Sequence, residues 1–175
     1  MGYKGVSKFA RKGLLKKSNI LTVIDFSKSS TQKRLFVLNI STGKVLLSSL
    51  VAHGRNSGLE YATAFSNECE SNKSSLGFYT TGGTYIGEHG YSLKLNGCER
   101  GINDAAYQRA IVVHGAEYVS DDIVRAQGFL GRSLGCPAVP QNTSKKLIDI
   151  IKNGSCLFIY QQNNKYINQS KILNC

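Results

Sequence analysis

No apolar run of about 18 residues occurs in this chain, so a membrane-spanning helix is excluded by length. The first 17 residues are cationic but hold neither an apolar h-region nor a small-residue cleavage site, and they do not read as a secretory leader. Internal repeats, low-complexity tracts and proline-rich linkers are missing as well; the only prolines are Pro137 and Pro140. Nothing divides the 175 residues, a length that suits one domain with a sizeable core. There is no Cys-x-x-Cys pair, no zinc-finger spacing and no His-x-x-x-His, which argues against thioredoxin-type redox chemistry, zinc ribbons and helix-borne zinc hydrolysis. No helix-turn-helix pattern or aromatic RNA-binding strand stands out, so nucleic acid is not the expected partner. Acidic residues are scarce: 11 against 22 lysines and arginines leave a formal charge of +11. Such a surface favours polyanions, and anionic envelope polymers are the class that remains.

What is present reads mainly as strand. The segments 21–26, 34–40 and 44–52 are rich in β-branched and apolar residues, with Ser41-Thr42-Gly43 as a hairpin turn between the second and third. Further strands are expected over 76–80, 84–87 across Thr81-Gly82-Gly83, 91–95, 110–114 and 155–161. Helix signals are fewer. Leu147, Ile148, Ile150 and Ile151 give one apolar face over 143–153, capped by Asn142 or Thr143 and ended by Gly154. A short helix is expected from Asn103 to Arg109, and another near Ser120, with Asp121 and Asp122 in its first turn. The polar stretch from Gly54 to Ser75 reads as a long surface loop, a length that is often functional. The expected class is mainly β with a few short helices, a single-domain sandwich or partial barrel. A basic N-terminal segment (1–20) would precede the domain proper (21–175).

The chemistry concentrates in Arg132-Ser133-Leu134-Gly135-Cys136-Pro137, whose cysteine follows by 22 positions the histidine that closes the apolar run in Ile111-Val112-Val113-His114-Gly115. Thiolate catalysis needs a cysteine on a tight, open turn, an imidazole to take its proton, and backbone N–H groups aimed at the developing oxyanion. Gly135 permits the turn and Pro137 stiffens its exit. Cys136 is the candidate nucleophile and His114 the candidate base. The Gly115 carbonyl is in place to orient Nδ1–H.

These residues resemble the active-site signature of the YkuD-type L,D-transpeptidases, in which a His-Gly pair precedes Ser/Thr-His-Gly-Cys. The likeness extends to Leu21–Phe26, Val51-Ala52-His53-Gly54, Ser74–Tyr79 and Gly87-Glu88-His89-Gly90-Tyr91-Ser92-Leu93, as in the murein L,D-transpeptidase catalytic domain branch. The resemblance implies a mainly β catalytic domain with Cys136 as nucleophile, His114 as base and the Gly115 carbonyl as third element. It implies Ser133 at the hydroxyl position and Gly135 with Cys136 as oxyanion donors. Two departures are visible: the family's histidine is Leu134 here, and its usual Arg or Asn two positions past the cysteine is Ala138. Leu134 can neither donate nor titrate. Arg132, whose planar fork suits a carboxylate, is the nearest residue able to meet a substrate group that a histidine at 134 would bind.

The implied reaction is acyl transfer on peptidoglycan stem peptides, with a tetrapeptide donor, a thioester on Cys136, release of the terminal D-amino acid, and 3→3 cross-linking or D-amino acid exchange. Carboxypeptidase trimming to tripeptide and a non-catalytic wall-binding module are the alternatives. The implied place is the periplasm or cell envelope, a leader having been removed before Met1. No cofactor or metal is expected, and a monomer is.

Plainer roles compete for several residues. Free cysteines are usually buried and inert; Cys156, in an apolar run, reads as core, while the pairing of Cys69, Cys98 and Cys175 stays open. His53-Gly54, His89-Gly90 and His114-Gly115 with Cys136 would be the rival metal constellation, without supporting spacing. His53 and His89 read better as turn or cleft-wall residues, His89 being the substrate-site candidate. Tyr91 and Tyr118 line a cleft or simply pack. Ser133 binds substrate or satisfies its own turn.

Overall fold

Residues 1–174 are described by a computed structural model; Cys175 lies outside them. In chain order the elements are α1 (Gly2–Arg11), β1 (Ile20–Asp25), β2 (Leu35–Asn39), β3 (Lys44–Ser49), β4 (Gly77–Gly87), β5 (Gly90–Gly97), β6 (Val112–Ala116), α2 (Asp121–Gln127), β7 (Ala138–Pro140), α3 (Gln141–Ile151), β8 (Cys156–Tyr160) and α4 (Asn164–Gln169). The mainly β class with short helices is the one expected. All strands join one sheet in the order β3-β2-β1-β8-β4-β5-β6-β7. The β1–β8 and β6–β7 pairs are parallel and the others antiparallel, so the sheet is mixed.

The sheet curls until its two edges meet. Just past β3, Ala52 bridges Ala138 of β7, with Ala52 N–H donating to Ala138 O at 2.8 Å, and Gly54 bridges Ser133. This seam gives the partial-barrel character and buries a small cluster of its own: Leu50, Ala52, Ala116, Val119, Leu130 and Ala138. The main core lies on the other side of β6. Leu147, Ile148 and Ile151 of α3 are fully buried in it, together with β8, whose continuous Cys-Leu-Phe-Ile run suits a central strand covered on both faces.

Several local expectations are revised. The cationic N-terminal segment contains a helix: Val6 and Phe9 of α1 are buried, and Phe9 meets Phe78 edge-on at 6.1 Å. Residues 77–87 are one strand with a register shift between Thr81 and Thr84, so Gly82-Gly83 is a bulge rather than a break. Asn103–Arg109 forms successive turns instead of a helix. The Asn103 side chain donates to the carbonyls of Leu76 and Phe78 and accepts from Glu99 N–H, which pulls the segment onto β4. Helix α2 begins as expected, with Ser120 Oγ accepting from Ile123 N–H at 3.3 Å. Helix α3 starts at Gln141, directly after Pro140, and both Asn153 and Gly154 beyond it are left-handed. The 54–75 stretch is a loop, yet Ser57, Ser74 and Ser75 within it are buried.

Glu99 latches the C-terminal helix to the sheet. Its carboxylate accepts from Phe78 N–H at 2.8 Å, from Tyr166 Oη at 3.1 Å and from Ser170 Oγ. Replacing it with alanine leaves three buried donors unmatched. Glu99→Ala is expected to lower the unfolding free energy by about 2–4 kcal/mol, seen as a lower urea midpoint with an unchanged slope.

Candidate active site

Strand β6 lies between β5 and β7 with all five residues buried, and the register Ser92↔His114↔Ala138 runs across the three strands. His114 is 1% exposed. Its Nδ1 lies 2.9 Å from Gly115 O, and a carbonyl only accepts, so the proton is on Nδ1 and Nε2 keeps its lone pair. Burial lowers the pKa of this imidazole, the Gly115 bond partly offsets that, and His89 lowers it further. His114 is therefore neutral at neutral pH.

The cysteine segment sits on the seam. Ser133 N–H donates to His53 O at 3.0 Å, and Ser133 O accepts from Arg55 N–H at 2.8 Å. Ser133 Oγ accepts from Gly135 N–H at 3.0 Å and donates to Cys136 O at 2.6 Å, so this hydroxyl fixes the turn. Gly135 carries φ +127°, a region that side-chain-bearing residues avoid, and its Cα lies 3.0 Å from where a Cβ on Gly54 would stand. Two glycines thus let the loops touch. The contact is tied by Ser74 Oγ, which accepts from Gly54 N–H and donates to Gly135 O at 3.1 Å.

Cys136 Sγ accepts from Val112 N–H at 3.4 Å and donates to Ala110 O at 3.5 Å. The thiol is thereby held against the strand that carries His114, two residues earlier along it. Burial raises the thiol pKa, while the Val112 N–H and the Arg109 guanidinium act the other way. The resting group is a thiol rather than a thiolate.

Sequence reasoning missed Arg109. Its Nη1 donates to Ser66 O and Ser75 Oγ, and its Nη2 to Ser71 Oγ and Lys73 O. One guanidinium fastens the long 54–75 loop beside the thiol. The next residue, Ala110, is in the left-handed region at φ +51°. Nothing local marks Arg109, because its partners are serines and carbonyls more than thirty positions away.

The remaining candidates divide. His53 lies away from the cleft: Arg34 Nη2 donates to its Nδ1 at 2.8 Å and its Nε2 faces Gly58 O at 3.1 Å, so both nitrogens are engaged and it does not join the other two histidines. Arg132 is exposed and donates to Arg55 O and Gly58 O, on the outer side of the seam. Leu134 is 63% exposed. A cleft of about 490 Å³ opens beside His114, walled by His89, Tyr91, Gly115, Glu117, Tyr118 and Gln141. Tyr91 belongs to its wall, although its hydroxyl is engaged by Asp149 at 2.9 Å. His89 reaches the site itself, stacked on the His114 ring with centroids 4.2 Å apart.

A family model described as L,D-transpeptidase catalytic domain matches residues 1–160. A search of curated proteins finds no match. Among solved structures, an L,D-transpeptidase from Mycobacterium smegmatis is similar with a TM-score of 0.51 at 13% identity, over 82% of this chain and 59% of that one. A mutant of the helical cell shape determining protein Pgp2 from Campylobacter jejuni is similar with a TM-score of 0.51 at 12% identity, over 91% of this chain and 54% of that one. The chain therefore spans somewhat over half the length of these structures, and at such identities the likeness is one of fold.

The support beneath the cysteine loop has a pH signature. Burial, and then the Arg34 charge, lower the His53 pKa from 6.5 to about 4. Between these values the unfolded chain binds a proton that the folded chain does not, so stability falls as pH drops from 6.5 towards 4. The expected loss across that window is about 3 kcal/mol by urea unfolding, and His53→Gln should flatten it.

Proposed function

This chain belongs to the L,D-transpeptidase catalytic domain family, and from that premise we propose that it is a cysteine acyltransferase acting on peptidoglycan stem peptides. The observation that carries this reading is the state of the pair. A neutral His114 keeps its Nε2 lone pair because its Nδ1 proton is given to Gly115 O, and a protonated Cys136 thiol is held on the same strand. Attack then moves one proton inside the site and requires no separated charges beforehand.

In this reaction the thiol gives up its bond to Ala110 O and passes its proton to His114 Nε2. As that proton transfers, Sγ bonds to the carbonyl carbon of the third stem residue. The tetrahedral oxyanion meets the Cys136 N–H, since the Gly135 N–H is held by Ser133 Oγ. The C–N bond to the terminal D-residue breaks, and His114 returns the proton to the leaving nitrogen. A thioester remains on Cys136. An amine from a second stem attacks it, His114 takes the amine proton and hands it to the departing sulfur, and a 3→3 cross-link results. A free D-amino acid in place of the stem gives exchange, and water gives tripeptide. Tyr118 and His89 wall the cleft beside the base, and Arg132, bonded to Arg55 O and Gly58 O, is not part of that wall. Such a substrate belongs to the cell envelope, where a charge of +11 suits anionic polymers.

Mixing the protein, and Cys136→Ala beside it, with disaccharide-tetrapeptide and recording intact mass and soluble products tests this reading. The expected result is a transient adduct on the unsubstituted protein alone, with loss of the terminal D-residue and formation of dimers. Tripeptide without dimers assigns an L,D-carboxypeptidase. Undiminished turnover by Cys136→Ala removes the thiol from the mechanism, and folded, reduced protein with neither adduct nor turnover indicates a wall-binding module.

A further inference from the structure

His89 takes no part in the proton transfers above, yet its ring is the one laid against the base. It occupies the turn of the β4–β5 hairpin and is itself exposed, whereas the ring it covers is almost fully buried. The planes lie 17° from parallel with centroids 4.2 Å apart, a face-on stack. The hairpin that carries it is anchored. Tyr91, just past the turn, donates to Asp149 of α3, and Lys145 and Lys152 grip the same carboxylate at 2.8 Å each. The pairing of Ser92 with His114 sets the turn above the strand that bears the base.

We propose that His89 is a positioning residue for the His114 base: its ring caps the imidazole face and holds the orientation that Gly115 O alone leaves free to tilt. The proposal rests on the reading of His114 as the base. Rotation about Cβ–Cγ of a histidine is broad, and a single hydrogen bond at Nδ1 restrains the ring at one edge only. A second ring against the face opposes the remaining tilt and keeps water from it, so that the Nε2 lone pair keeps one direction. The stack also joins the two rings electrically. Charge on His89 opposes a proton on His114. The other ionisable groups facing them are Glu88 beside the turn, Glu117 beyond β6, Tyr91, Tyr118 and the Cys136 thiol.

Two substitutions separate stacking from other roles. His89→Ala removes the ring, and His89→Phe keeps a neutral one. His89→Ala is expected to lower kcat about tenfold to a hundredfold with KM changed less than about twofold, while His89→Phe recovers kcat to within about threefold. In His89→Phe the acid limb of kcat/KM moves to higher pH, because no charge at position 89 then opposes the proton on His114; the His114 titration followed by NMR moves the same way. Wild-type kcat in His89→Ala overturns the proposal, as does a raised KM at constant kcat, which marks a substrate contact. Failure of His89→Phe to recover kcat overturns it too, since a ring face is then not what matters. His114→Gln serves as the control: retained turnover there removes the base reading itself, and the NMR titration of His114 in the two His89 variants still decides whether the stack governs that ring.

Discussion

The buried Arg34 guanidinium is the constraint from which the site's geometry follows. It is fully enclosed and forms no ion pair among the described residues, although the Asp25 charge favours its protonated form; Nε and Nη2 donate to Val51 O, Nη1 to Lys28 O, Nη2 also to His53 Nδ1, and its Cζ lies over the Phe26 ring at 4.8 Å. A desolvated cation must find all its partners in fixed places, and the result shows in its pKa, lowered by burial to about 9. Those partners define the backbone from Val51 to His53. Once that backbone is set, Ala52 can close on β7, His53 O can receive Ser133 N–H, and Gly54 can press against Gly135. A cation on the β2 side of the sheet thereby fixes a cysteine loop that follows it by about a hundred residues.

The second constraint is the burial of the His114 imidazole and the Cys136 thiol. Burial drives the imidazole and the thiol in opposite directions, the one down and the other up, and the same burial leaves both uncharged. A thiolate and imidazolium at rest would need a strong local field. Here the nearby cation, Arg109, has its guanidinium committed to the 54–75 loop and lends the thiol only part of its influence. On the proposed reading the proton moves during attack, and the orientation of His114 Nε2 then matters more than the resting charge.

Much of this was legible in the sequence where periodicity or a local motif carried the information. Strands β1, β2, β5, β6 and β8, the Ser120 cap and the apolar face of α3 all have short-range signatures. The Cys136 and His114 candidates, with the Gly115 carbonyl, stood out by residue type and spacing. Helix α1 did not, because Val6 and Phe9 are its only buried apolar side chains amid lysines and arginine. Helix α4 is almost wholly polar and depends on Glu99, sixty-seven positions from Tyr166. Arg34, Arg109 and the His89 stack are tertiary in the same sense. Each is an ordinary residue until a distant segment arrives, and no window of sequence contains both halves of the contact.

The seam also accounts for the two places where this chain departs from the motif it resembles. Position 138 pairs with His114 in β6 and bridges Ala52 just past β3, and it is completely buried between them. A long polar side chain there would have to enter the small cluster formed by Leu50, Ala116 and Leu130, leaving its polar atoms unmatched. Alanine fits this closure without burying a polar group. Leu134 faces solvent at the rim, where an apolar side chain leaves no buried partner unsatisfied, so exchanging a histidine for it changes the mouth of the site and not its support. The imidazole that does touch His114 arrives instead from the β4–β5 turn, on a hairpin clamped to α3. The departures therefore fall on an exposed loop position and on the closure, and neither replaces Cys136 or His114.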